Sequence, residues 1–461
     1  RATYTYYDYN EEHGSGEDLK TATTATWSSG AWQTTGTTYY RYYQTLSDGS
    51  SSSSSTSGNS LPAYLLKYIV NPATFDRMVA DSLDPLAVSD AMIAQYADYY
   101  FEYDAQRRVT KEMIQGASRT FLFSYTESGF ADDLANWKTK TVETLPDGSQ
   151  NIVYSNASNL ALLTVLKSGD DEWCQFNRYN SSYRIVETAQ ASAISGYDEA
   201  LPDLMGYNSG TGQYQYLRDD EGLMFHTDYH APSGFVAGYT VQEGQVGTPV
   251  KLSEFDYVGC NCGGSSSSSS SSSSGSGNCD GPWLLSQSTR YPSDTNQTIT
   301  EVTTYDYTFH PGTCAVQEKV TTFPVVSTAQ NGTGVAATRR EVYDLYGNLT
   351  WAMDERGFIT RRSYDIPTGA LTQRVDDVDT GLYLDAPVGW STPSGGGLNL
   401  VTDYEHDSRG RITQTLGPAH EVDLDHVATT VRTASWAVYD DGNHSTYSGQ
   451  GYAIGTSPSY A

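Results

Sequence analysis

The sequence lacks any run of about eighteen apolar residues, so no segment of it reads as a membrane-crossing helix. Basic residues are scarce: 27 Lys and Arg stand against 55 Asp and Glu, a formal charge of −28 at pH 7. A field of that sign repels phosphate backbones, which removes nucleic acid from the expected partners and favours cations or basic proteins. Outside low-complexity stretches there is no Gly-x-Ser-x-Gly elbow, and there is no phosphate loop, dinucleotide fingerprint or His-Glu-x-x-His helix. No carboxylate pair stands out for glycoside hydrolysis, so the chain is expected not to be an enzyme. Cysteine is sparse at five residues, but Cys260, Cys262, Cys279 and Cys314 fall within one window. In a secreted chain this clustering predicts two local disulfides of open connectivity. A four-cysteine zinc site is the alternative, although one C-x-C and two single cysteines do not make paired zinc knuckles. Cys174 is expected to be a buried thiol.

What the sequence has in excess is tyrosine, 37 residues against 12 Phe and 8 Trp. Tyrosine suits sheet surfaces that are half buried and still reach a polar partner. Segments of five to eight residues with period-two patterning, such as Phe358 to Tyr364 and Leu371 to Val375, are punctuated by Gly, Pro, Asn and Asp and predict strands. Two tracts interrupt them: Ser50 to Ser60, and Gly263 to Gly277 with ten consecutive serines, both expected as loops. One helical island is expected over 72–98, where Asn71-Pro72 and Asp84-Pro85 each offer a cap followed by a proline.

Internal repetition is the strongest signal. Tyr343-Asp344-Leu-Tyr-Gly347-Asn-Leu is complete, and Tyr103-Asp104-Ala-Gln-Arg107-Arg-Val keeps all but the glycine. Asp-x-x-Gly recurs at Asp219–Gly222, Asp354–Gly357 and Asp407–Gly410, the last following Tyr404, while Tyr439-Asp440-Asp-Gly442 is one residue short. A longer form places Gly five residues after Tyr: Tyr364-Asp365 to Gly369, Tyr229 to Gly234, Tyr207 to Gly212 and Tyr307 to Gly312. Aspartate opening a turn accepts a backbone N–H two residues on, and glycine at its end tolerates the exit geometry, so each copy predicts a hairpin.

These residues resemble the YD-repeat, or rearrangement-hotspot, family, which includes toxin-complex shells and teneurin adhesion proteins. The resemblance is strongest over about 338–445 and moderate over about 99–235. It implies an all-β fold, a spiral array of β-hairpins forming a shell, barrel or solenoid, with the short helical insert near 72–98. The organisation expected is a β-repeat region over 1–49, a Ser-rich loop over 50–60, a helical insert over 61–101, and YD-repeat regions over 102–262 and 279–461 flanking a Ser/Gly-rich loop over 263–278. The implied role is a structural, non-catalytic segment of a large secreted bacterial protein forming a cell-surface shell or filament. Carbohydrate-binding adhesion, or the encapsulating shell of a polymorphic toxin, are the alternatives. No Asp-Pro-x-Gly-type self-cleaving segment is present, and the spacing between Tyr343, Tyr364, Tyr404 and Tyr439 is irregular. The chain starts at Arg1 without a leader and is expected to be a piece of a longer one, located outside the cell or at its surface. Its expected partners are copies of itself or neighbouring repeats, and glycans.

Two constellations carry the residue types of metal sites. His226-x-Asp228-x-His230 places three ligand types on one face of a strand. Asp377-Val-Asp379-Thr-Gly, followed by Asp385, has the alternating oxygen donors of a calcium loop but lacks its bidentate glutamate. The expected cofactor complement is none, with calcium as the alternative. Six Asn-x-Ser/Thr sequons occur, at Asn156, Asn180, Asn296, Asn331, Asn348 and Asn443.

Overall fold

The computed structural model describes residues 1–9, 11–28, 31–43, 64–260, 282–424, 426–441 and 445–454. Both serine-rich tracts, Cys262, Cys279 and residues 442–444 lie outside them. The described residues form 28 strands, two α-helices and three short 3-10 turns, so the chain is all-β with a helical insert, as expected. Twenty-six strands are assigned to one antiparallel sheet, and a separate ribbon pairs Tyr207–Asn208 with Gln213–Tyr214. Contacts divide the chain into two compact units. One comprises residues 1–225, 242–248 and 440–445, the other 226–241, 249–439 and 446–461.

In the first unit, the strands from Ala2–Tyr6 to Ile185–Ala189 pair successively, each with the strand before it. From Tyr99–Tyr103 onward the described links between successive strands are short turns or loops, because antiparallel neighbours need only a turn between them, whereas the helical insert joins Leu66–Val70 to Tyr99–Tyr103. Two apolar clusters lie on this meander. Tyr154, Leu163, Val165, Phe176 and Met205 are at the centre of the larger, and Tyr39, Tyr68, Val70, Met78 and Ile93 of the smaller. Cys174 is the expected buried free thiol, and desolvation pushes it up to about 11.

The helical island is smaller than expected. Helix Pro72–Ala80 begins at the predicted proline, but Asn71 makes no side-chain cap bond, and its backbone N–H is instead held by Asp98. Asp84-Pro85 opens a single turn rather than a helix; the second helix is only Asp90–Ile93, and Ser89 caps it. The reason is Arg41, fully buried on strand Ala31–Tyr42, whose guanidinium takes the carbonyls of Pro85 and Val88 at 3.2 and 2.7 Å. Those carbonyls are thereby turned toward the sheet and cannot propagate a helix. The same guanidinium reaches Asp90 at 2.8 Å, and Lys67 also bonds that carboxylate. The insert is therefore clipped to the sheet by charge as well as by Met78 and Ile93.

In the second unit, Val236–Glu243 through Val427–Asp440 form a second successive meander. Its apolar cluster joins Trp351, Ile359 and Val375 to Val378 and Trp390, which belong to the long excursion between strands Leu371–Asp376 and Leu400–His406. Ile359 is fully buried while Phe358 is exposed at the preceding turn. Beyond Ile359 the strand is half-buried throughout, and in Leu371–Asp376 only Val375 is buried, so the two-faced alternation expected from the sequence is not resolved in burial. Cys260 and Cys314 form a disulfide, which settles one of the pairings left open.

Candidate functional site

The repeated turn is the feature that recurs most often, and its geometry is uniform. At Asp344, Asp354 and Asp407 the aspartate carbonyl accepts the N–H of the glycine three residues on, at 3.0–3.1 Å, and Oδ1 accepts the N–H groups two and four residues on, at 2.8–3.0 Å. Gly347, Gly357 and Gly410 have φ of 85°, 88° and 76°, the left-handed conformation that closes such a loop. Asp104 makes the same bonds, and Arg107 adopts φ 66° in the glycine's place. Arg108 and Arg411 turn back to pair with Asp104 and Asp407. Although desolvation opposes it, the bonds from Arg108 hold the Asp104 carboxyl below the usual range.

The longer form is a distinct turn. Gly369, Gly234 and Gly212 donate to the carbonyls of Asp365, His230 and Asn208 at 2.7–2.8 Å. Tyr307 and Gly312 depart from it: the turn there opens at His310, three residues after Tyr307. Asp219–Gly222 is a bend whose Asp219 carbonyl accepts from Val246, so it makes no hairpin. Tyr439 and Asp440 close strand Val427–Asp440, and Gly442 lies outside the described residues.

Two further copies escaped the sequence pattern because asparagine replaces aspartate and a side-chain-bearing residue replaces glycine. Asn156 and Asn180 each accept N–H groups two and four residues on through Oδ1, while Asn159 and Tyr183 take φ of 59° and 62°. Asparagine has the same acceptor geometry as aspartate at its Oδ1, which makes the substitution neutral for the turn. Both belong to Asn-x-Ser/Thr sequons, and Asn156 is buried.

The tyrosine has a role that spacing alone does not expose. The hydroxyls of Tyr103, Tyr125, Tyr179, Tyr257, Tyr307, Tyr364 and Tyr439 donate to the carbonyls of Leu66, Val109, Ala161, Val236, Leu285, Leu349 and Ile412 at 2.7–3.0 Å. In every pair the tyrosine sits within the last three residues of its strand and reaches back to the strand preceding it in the meander. The acceptor is that strand's first residue in six cases; Leu285 is the third of Trp283–Arg290. The hydroxyl therefore ties the end of one hairpin to the start of the previous one. Register steps fall immediately before Tyr103, Tyr179, Tyr257, Tyr343 and Tyr364, where the turn inserts one extra residue. Tyr343 differs: its carbonyl accepts from His310, and desolvation, then Glu341, pushes its phenol up to about 12.

The two metal constellations are not assembled. His226 and Asp228 lie on strand Leu223–Tyr229, but His230 is beyond its end, with Nδ1 against Ser233 and its ring 4.7 Å from Trp283. Asp377 accepts the N–H groups of Gly397 and Leu398, Asp379 accepts that of Gly381, and Asp385 pairs with Arg361 at 3.0 Å. These acids stitch the long excursion together instead of converging. Among the described residues no group of three His, Cys, Asp or Glu is placed to hold a metal ion.

The fold and the repeated site together define an all-β array of antiparallel hairpins fastened in series. No family model matches the chain, and no curated protein matches it. Among solved structures it is similar to a chain of TcdB2-TccC3-Cdc42, with 9% identity and a TM-score of 0.33, covering 94% of this chain and 20% of that one. TcdB2-TccC3 without its hypervariable C-terminal region gives 9% identity and 0.33 over 94% and 19%. A porin-like protein from Bacteroides uniformis gives 11% identity and 0.20 over 72% and 95%. The chain thus spans about a fifth of the length of those toxin-complex chains.

Proposed function

We propose that the chain is a non-catalytic structural segment of a longer secreted bacterial YD-repeat protein, forming part of the wall of a cell-surface shell or filament. The observation that carries this reading is the serial tyrosine tie. Seven tyrosine hydroxyls bond a strand to the one before it, a device that fastens neighbouring hairpins one after another along the sheet. Arrays of this kind gain stability from nearest-neighbour contacts, which suits a wall. A polymorphic-toxin shell is a finer version of the same proposal.

Limited proteolysis and electron microscopy of the purified chain test it. The expected result is a protease-resistant product that forms regular particles. A monomer digested rapidly throughout its length would overturn the proposal. A second reading, adhesion through ring stacking on sugars, is favoured by exposed rings such as Trp27, Trp173 and Tyr4. Lack of retention on cell-wall preparations and glycan arrays removes it.

A further inference from the structure

One cavity lies against the Tyr207–Gly212 copy of the turn. It has a volume of about 640 Å³ and lies within the first unit, beside the ribbon that pairs Tyr207 with Tyr214. The Asn208 turn sets these two rings 5.0 Å apart at 50°, and Phe176 packs against Tyr214 at 5.6 Å. Tyr179 completes an aromatic wall. Tyr207 is 53% exposed, an apolar ring left standing in solvent at the mouth. Desolvation pushes the Tyr214 phenol up to about 12.

The charges in the lining are unequal. Arg178 is the cation, and Glu187, whose side chain is almost fully buried, pairs with it at 2.9 Å and offsets its charge. Asp133 and Asp203 are the anions. Asp133 accepts the N–H of Ala135, and Asp203 those of Gly206 and Tyr207. Neither has a Lys, Arg or His partner among the described residues. These backbone bonds orient the two carboxylates without neutralising them. The cavity thus combines ring faces, which carry negative quadrupolar charge, with two uncompensated carboxylates in a chain of net charge −28. A strongly hydrated metal ion is a poor match, because no cluster of three ligating side chains is present among the described residues. A weakly hydrated organic ammonium suits both components, resting on the rings while its charge answers the carboxylates.

We propose that this cavity binds a small organic cation of the alkylated-ammonium class. The test titrates the full chain with choline and with its neutral isostere 3,3-dimethylbutan-1-ol, followed by calorimetry or tyrosine fluorescence. Choline is expected to bind about tenfold more tightly than the isostere. Tyr207→Ala is expected to weaken choline about fivefold while Tyr207→Phe retains it, since the ring and not the hydroxyl carries the attraction. Asp133→Asn, which keeps an oxygen to accept the Ala135 N–H and removes the charge, is expected to weaken choline and leave the isostere unaffected. Equal binding of the two isosteres would overturn the proposal, as would saturation by a neutral hexose or inorganic phosphate in place of choline. No saturation by about 50 mM choline would overturn it too, being weaker than any useful site.

Discussion

Removing a single hydroxyl tests the serial tie most directly. Tyr364 donates to the Leu349 carbonyl at 3.0 Å from the strand beside it. Tyr364→Phe keeps the half-buried ring and deletes only that bond. A net hydrogen bond of this kind is worth about 0.5–1.5 kcal/mol, which corresponds to roughly two- to thirteenfold in a local opening equilibrium at 25 °C. Because the bond joins two consecutive hairpins, the loss should be local. Native-state hydrogen exchange is therefore the assay, read at amides of strands Leu349–Met353 and Ile359–Tyr364 and compared with strands of the first unit. Exchange should quicken by that factor in the two strands and hold elsewhere. Tyr346→Phe is the control, since Tyr346 is 72% exposed in the adjoining turn; it should change nothing. Unaltered exchange in Tyr364→Phe, or equal acceleration in the control, refutes the idea that the hydroxyl fastens the repeat.

Glycine's role can be isolated at Gly347, where an added Cβ meets nothing within 4 Å, so Gly347→Ala should cost about 1 kcal/mol from the left-handed backbone alone, measured by urea unfolding. Arg107→Gly relieves the same strain at φ 66° and should be neutral or stabilising in the same assay, whereas a cost above about 1 kcal/mol would contradict it. The Cys260–Cys314 disulfide spans 54 residues of sequence, and on chain-entropy grounds its removal by Cys260→Ala with Cys314→Ala should lower stability by up to about 4 kcal/mol. Asp90 is partly desolvated, which opposes ionisation, but the bonds from Lys67 and Arg41 prevail and hold its carboxyl below the usual range. That stabilisation is complete above the unfolded-state pKa of about 4 and is lost as pH falls through the lower folded value. Amides of Ala87 to Ile93 should therefore lose exchange protection below about pH 4 before those of the sheet, and Arg41→Met should abolish the difference by releasing this turn at neutral pH.

Much of the local architecture is written in residue types. Asp344, Asp354 and Asp407 with their glycines specify a hairpin because the acceptor and the left-handed residue belong to the same five-residue stretch. Tyrosine excess and period-two patterning specify strands for the same reason. The Asn156 and Asn180 turns are not legible in the sequence because their left-handed residues, Asn159 and Tyr183, carry side chains and leave no glycine to read. Asp84-Pro85 carries a helix-opening signal but opens only a turn, because Arg41, more than forty residues away, takes the Pro85 and Val88 carbonyls.

The sequence by itself determined the hairpins, the all-β class, the buried Cys174 thiol and the sign of the surface charge, each a consequence of composition or of contacts within a few residues. Only the tertiary structure decided that Tyr364 bonds Leu349 rather than water, that Cys260 pairs with Cys314, and that Asp377, Asp379 and Asp385 brace an excursion instead of meeting at a metal. It also decided that Tyr207 and Tyr214 stand beside Asp133 and Asp203 around one cavity. Those outcomes depend on which strand lies next to which and in what register, and a shift of one residue would turn Tyr364 to the opposite face of its strand, away from Leu349.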